Sequence, residues 1–215
     1  MTIQDFGKTF NLEKFYHARD VARDMTHELA SKIKPGMREE EAHELYRLIC
    51  KHHRIEKNWH PPKIRFGPNT LKSFKEISDP YELQDEDIFY VDIGPVIDGH
   101  EADYGETFTI GQNYELKKIA DASAKIFNLV RDHWVKEKVS GPQLYQYAKK
   151  VSKDLGYHLN MGSDGHRIGD FPHHVIFKGA ILDCEESLLP NAWILEIQLD
   201  HPKLRCGAFF EDILK

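Results

Sequence analysis

Four acidic residues sit inside runs that otherwise ask for burial: Asp92 in "FYVDIG", Asp103 in "HEADYGETF", Glu196 in "WILEIQL" and Glu211 in "AFFEDIL". An isolated carboxylate taken out of water is costly unless it is paired or bound to a cation. Singly, each has a bland reading. Asp92 could cap a turn before Ile93 and Gly94, and Glu211 could be a frayed charge near the end of the chain. As a set they constrain the fold, which has to bring four strand-borne acids to one shared countercharge. Carboxylates are hard oxygen ligands, so a shared divalent cation would compensate all four.

The segment "GSDGHRIGDFPHH" adds histidines. His166 lies among glycines that permit close backbone approach, and His173 follows seven residues later. An imidazole nitrogen beside oxygen donors suits Mn, Fe, Co or Zn better than Ca.

Residues 11–34 read as a helix, with Phe15, Ala18, Val21, Ala22, Met25, Leu29 and Ile33 forming one apolar stripe. A second helix over 38–53 opens on acids and closes on basic residues, which suits the helix dipole. "KIRF", "DIFYVDIG" and "YGETFTIG" read as strands between turn residues. A third helix is predicted over 113–134, and a fourth over 141–156, from Ser140 as N-cap to Gly156. "AWILEIQLD" and "GAFFEDILK" return to strands. The order helix, helix, strands therefore occurs twice. The weak echo between "EAHELY" and "GPQLY" fits two similar αβ halves that build one sheet with helices on one side. No linker or low-complexity segment divides the chain, so one domain over 1–215 is expected, with no separate N-terminal domain.

A net charge of −6 argues against a nucleic-acid binder. No window has the run of apolar residues a membrane span needs, and the N-terminus has no signal-peptide pattern. The odd cysteine count, Cys50, Cys184 and Cys206 without CxxC spacing, fits reduced thiols and a cytoplasmic setting.

Together these residues resemble the methionine aminopeptidase, Xaa-Pro aminopeptidase, prolidase and creatinase superfamily, the pita-bread metallopeptidases. The resemblance lies in the order Asp92, ten residues, Asp103, then "GHRIG", then two strand glutamates, and it covers roughly residues 12–212 with the "KPGMREEE" connection and the "GPNT" turn. It implies an α+β pita-bread fold: a curved, mainly antiparallel sheet with helices packed on its outer side, in two pseudo-symmetric αβ halves. It also implies two divalent ions (Mn, Co, Zn or Fe) on Asp92, Asp103, His166, Glu196 and Glu211, with Asp103 and Glu211 bridging. His173 would contact the substrate and steady the tetrahedral intermediate, and Glu196 would shuttle a proton to the leaving amine. The implied activity is that of an exopeptidase, an aminopeptidase of Xaa-Pro or other type, using metal-bound hydroxide on the N-terminal bond of short peptides. Short peptides are the implied partner, with no nucleic acid and no membrane, and a homodimer is left open.

The chain departs from the family pattern around the substrate. Phe74 stands where a histidine follows the GPN-like turn, and His60 in "NWHPPKIRFG" is the nearest substitute. Ile197 follows Glu196 where proline is usual, Phe209 replaces an arginine of proline-specific members, and Gly105-Glu106-Thr107 replaces Thr-Arg-Thr. "HEAD" reads as a solvated turn, with His100 close enough to reach substrate. His60, His100 and Phe74 are thus the candidates for substrate contact. Two other readings stay open: a non-peptide C–N hydrolase on the same fold, and a catalytically impaired metal- or peptide-binding module.

Overall fold

The computed structural model describes residues 2–215. Helices α1 (Leu12–Lys32) and α2 (Glu39–His52) come first, followed by strands β1 (Lys63–Phe66) and β2 (Asp87–Ile93). A small hairpin of β3 (Val96–Ile97) and β4 (His100–Glu101) leads into β5 (Tyr104–Ile110). Helices α3 (Tyr114–Glu137) and α4 (Gly141–Asp154) open the second half. It continues with β6 (His158–Leu159), β7 (His166–Arg167), β8 (Trp193–Asp200) and β9 (Gly207–Ile213).

The helix ends follow from local chemistry. Asn11 accepts from the Lys14 amide at the start of α1, and Asn113 accepts from Glu115 and Leu116 at the start of α3. At α4 the Gln143 side chain takes the Ser140 amide hydrogen. Helix α3 runs past the predicted Trp134 to Glu137 and stops at Lys138 in the left-handed region. Nothing in "VKEK" forbids helix, so the hydrophobic stripe alone placed that end too early.

The main sheet has the order β1-β2-β5-β9-β8-β6, with β7 also paired to β8, and each pairing is antiparallel. The two helix-helix-strand halves meet at β5 and β9. Strand alternation then divides the side chains between two faces. Leu195, Ile197 and Leu199 pack with Ile119, Ile126, Val130, Leu144 and Ala148 of α3 and α4. Phe89, Val91 and Ile93 pack with Met25, Leu29, Tyr46 and Ile49 of α1 and α2. Apart from the smaller Ala148, each of these side chains is essentially removed from water, a gain of about 1.5–3 kcal/mol apiece before chain entropy is subtracted. All four helices therefore cover one face. The residues one step out of phase, including the four acids, are turned to the other.

Among the described residues no helix is long and apolar enough to cross a membrane. The three cysteines are unpaired, with Cys184 and Cys206 buried.

Candidate metal centre

The sheet register assembles the site. Lys63 pairs with Asp92, Asp92 with Gly105, Gly105 with Glu211, and Glu211 with Glu196. Direct cross-strand neighbours project to the same face, so β2, β9 and β8 deliver three carboxylates side by side. Gly105 sits in the middle of that row because nothing larger fits. A Cβ there would lie 2.5 Å from the Phe209 ring and 2.7 Å from Glu211 Oε1. The two departures Gly105 and Phe209 are thus one: the aromatic ring takes the room the missing side chain leaves.

Asp103 lies just before β5, and His166 opens β7 against β8. His166 Nε2 is 2.9 Å from Asp103 Oδ2 and 3.6 Å from Glu196 Oε1. The imidazole Nδ1 is 2.7 Å from the Arg167 carbonyl, which accepts its hydrogen and turns Nε2 toward the acids. All five predicted ligands line one cavity of about 470 Å³, together with Trp59, His60, Phe74, Tyr90, His173 and Phe209. Two sets of donor atoms, one on Asp103, His166 and Glu211 and one on His60, Asp92 and Asp103, each lie within 4.8 Å of one another.

The donor set fits a divalent cation. Asp92, Asp103 and Glu211 are at most 6 % exposed, and Asp92 Oδ1 and Glu211 Oε1 are buried with no hydrogen-bond partner. Burial, reinforced by neighbouring negative charge, pushes Asp92 up to about 6, Glu196 up to about 7 and Glu211 well above the carboxylate range. Burial acts against the imidazolium of His60 and His166, but the surrounding acids prevail and raise both to about 9. For Asp103 burial acts upward, yet His60 and His166 hold it well below its ordinary value. Both directions have one cause, an excess of negative charge in a buried cluster, which a divalent cation would offset.

These directions set a pH dependence for the metal-free protein. Asp92, Glu196 and Glu211 keep their protons in the fold at pH values where an unfolded chain has lost them. His60 and His166 do the same above their ordinary 6.5. The native state therefore binds more protons across roughly pH 5 to 9, and stability falls as pH rises through that window. Asp103 has the opposite sign, but its contribution is lost only on strong acidification. Melting in a chelator is expected to fall by roughly 5–10 °C between pH 5 and 9. Saturating metal, which displaces those protons, should abolish the fall.

His173 stands at the wall of the cavity in a short 3-10 turn. Its backbone amide donates to Glu101 Oε1 at 3.0 Å, and its Nδ1 bonds to Glu101 Oε2. This leaves Nε2 as the nitrogen available to a substrate. His174 is exposed, so only one of the adjacent histidines serves the site.

The "HEAD" segment is a correction. It is neither a turn nor solvated: His100 is 2 % and Glu101 0 % exposed in β4. His100 is absent from the cavity wall. Its Nε2 accepts the Asn11 amide hydrogen at 2.8 Å and its Nδ1 meets the Asp98 carbonyl, so it fastens the start of α1 to the hairpin. Glu101 is the residue that sequence reading missed. The available signal was its place two residues before Asp103, on the same side of an alternating segment. Phe74 and His60 do reach the cavity, with ring centroids 5.8 Å apart.

Comparison with known proteins gives the family and the fold. The profile of metallopeptidase family M24 matches residues 13–212. No curated protein gives a significant match. Among solved structures, the X-Pro aminopeptidase from Thermotoga maritima superposes with a TM-score of 0.75 at 21% identity, covering 94% of this chain and 60% of that one. The prolidase from Pyrococcus furiosus gives 0.75 at 20% identity, over 97% of this chain and 61% of its own. Zn-substituted Escherichia coli aminopeptidase P in complex with product gives 0.74 at 15% identity, over 99% and 54%. The sheet with helices on one face is thus the pita-bread fold. The chain spans about 60% of the length of the first two of these proteins.

Proposed function

The chain belongs to metallopeptidase family M24, and on that premise we propose that it is a metal-dependent exopeptidase removing N-terminal residues from short peptides, Xaa-Pro peptides among them. The observation that carries this is the row of buried acids flanked by His166, with two carboxylate oxygens left without a partner. We assign Asp92, Asp103, His166, Glu196 and Glu211 as ligands. Asp103 belongs to both donor sets, which supports two cation positions sharing it. The donor mixture suits Mn, Fe, Co or Zn. Bound there, such ions would supply Lewis acidity toward a peptide carbonyl and toward water.

The chain's own residues supply the rest. Glu196, in the cavity beside His166, is placed to take a proton and pass it to the leaving amine. His173, held by Glu101, turns Nε2 into the cavity; burial lowers its pKa, so the proton it would donate to the oxygen that gains charge has to be taken up during the reaction, with Glu101 steadying the imidazolium. Trp59, Phe74, Tyr90 and Phe209 give the cavity an aromatic wall that suits a small apolar or prolyl side chain. Lys63, Lys75 and Lys178 also line it and are suited to the terminal carboxylate of a short peptide. We further propose that the described residues act as one catalytic unit, in the cytoplasm, with a homodimer as the assembly to test first.

A panel of dipeptides and tripeptides, assayed after loading with Mn, Co, Zn or Fe and with metal content measured in parallel, tests this reading. Two ions per chain with release of N-terminal residues is the expected result. Two ions without peptide turnover would turn the assignment toward a C–N hydrolase of small substrates or a binding module.

A further inference from the structure

His60 is not among the five ligands above, yet it is buried at 8 % exposure against two of them. Its Nε2 lies 3.3 Å from Asp103 Oδ1 and 3.5 Å from Asp92 Oδ1. We infer that His60 is an imidazole ligand of the ion held between Asp92 and Asp103. The inference rests on the metal centre proposed above.

Three observations carry it. The first is spacing. Two donor atoms that share one ion at about 2.1 Å, at a tetrahedral angle, lie roughly 3.4 Å apart. The separations from His60 Nε2 to both acids bracket that value. The distance to Asp92 Oδ1 is too long for a hydrogen bond, and that oxygen has no other partner.

The second is the pose of the ring. His60 Nδ1 is 2.9 Å from the carbonyl of the next residue, Pro61, and His166 Nδ1 is 2.7 Å from the carbonyl of its next residue, Arg167. In each case the carbonyl accepts the Nδ1 hydrogen and leaves Nε2 to face the acids. This is the usual way a protein fixes the tautomer of a metal-ligating histidine. The two rings enter the acid cluster in the same manner, from β7 and from the loop before β1.

The third is the space made for the ring. A Cβ on Gly94 would lie 2.2 Å from His60 Cδ2 and 2.3 Å from Nε2, so the turn after β2 is cut back where the imidazole passes. Trp59 flanks the ring at a centroid distance of 4.3 Å, with its indole N–H tied to the Ala102 carbonyl at 2.8 Å. Phe74 closes another side. A surface turn before two prolines would need none of these.

The consequence is a centre with a nitrogen donor at each cation position, which favours Zn, Co or Fe over Mn relative to an all-oxygen position. The proton NMR spectrum of the cobalt-loaded protein tests this without any activity assay. A histidine bound through Nε2 to paramagnetic Co(II) shows its Nδ1 proton far outside the normal range, and the signal vanishes in D2O. Two such signals are expected, one lost in His60→Gln and the other in His166→Gln. A single signal in the unmodified protein, lost in His166→Gln, would overturn the role of His60 and leave the centre standing. Two signals that both survive in His60→Gln would also overturn it. Absence of any shifted signal would contradict the metal centre itself. The count in the unmodified protein decides even if a variant fails to fold.

Discussion

Asp103→Asn is expected to strip the protein of tightly bound metal and to lower kcat/KM by at least about 10³-fold, since Lewis-acid stabilisation is worth several kcal/mol. The substitution preserves shape, so the loss would report charge. Asp103 is 1 % exposed, lies 2.9 Å from His166 and 3.3 Å from His60, and belongs to both donor sets. An amide oxygen is a weaker ligand and cannot neutralise a divalent ion. The same change should destabilise the metal-free fold at neutral pH, because His60 and His166 would lose the carboxylate that offsets their charge. Metal analysis, a peptidase assay and melting curves with and without metal check these outcomes. Unchanged metal content would show that the ligand assignment is wrong.

His173→Ala is expected to behave differently. The side chain faces the cavity but belongs to neither donor set, so metal content should stay the same. The loss should fall on kcat, by about 10²–10³-fold, the size of effect seen when one donor to a developing oxyanion is removed. Glu101→Gln should move kcat in the same direction by less, because the glutamine keeps a partner for Nδ1 but no longer stabilises an imidazolium. A rise in KM with kcat unchanged would instead mean that His173 binds ground state and transition state alike.

The elements and the site were legible to different depths. Helices α1, α2 and α4 follow from period and end signals, because each buries one stripe and leaves the rest polar, and the long strands follow from short apolar runs between turn residues, β2 being buried along its whole length. The four acids were legible because a carboxylate in an apolar strand demands a countercharge. Their alignment in one row was not. Register depends on pairing β5 with β9, strands nearly a hundred residues apart, and no local pattern encodes it. The exact reading of "HEAD" failed for a related reason. A short polar hairpin reads as a turn unless the partners that bury it, here α1 and the His173 segment, are known. The paired departure at Gly105 and Phe209 is a contact in space between two positions that sequence treats separately.

The central claim is that one face of this sheet holds divalent ions between Asp92, Asp103, His166, Glu196 and Glu211. Anomalous diffraction from crystals of the manganese- or zinc-loaded protein, recorded on both sides of the metal's absorption edge, tests it most directly. Two peaks are predicted in the cavity, with Asp103 between them and Glu211 within ligand distance of both. No peak beside Asp103, or metal found only at surface histidines, would contradict it.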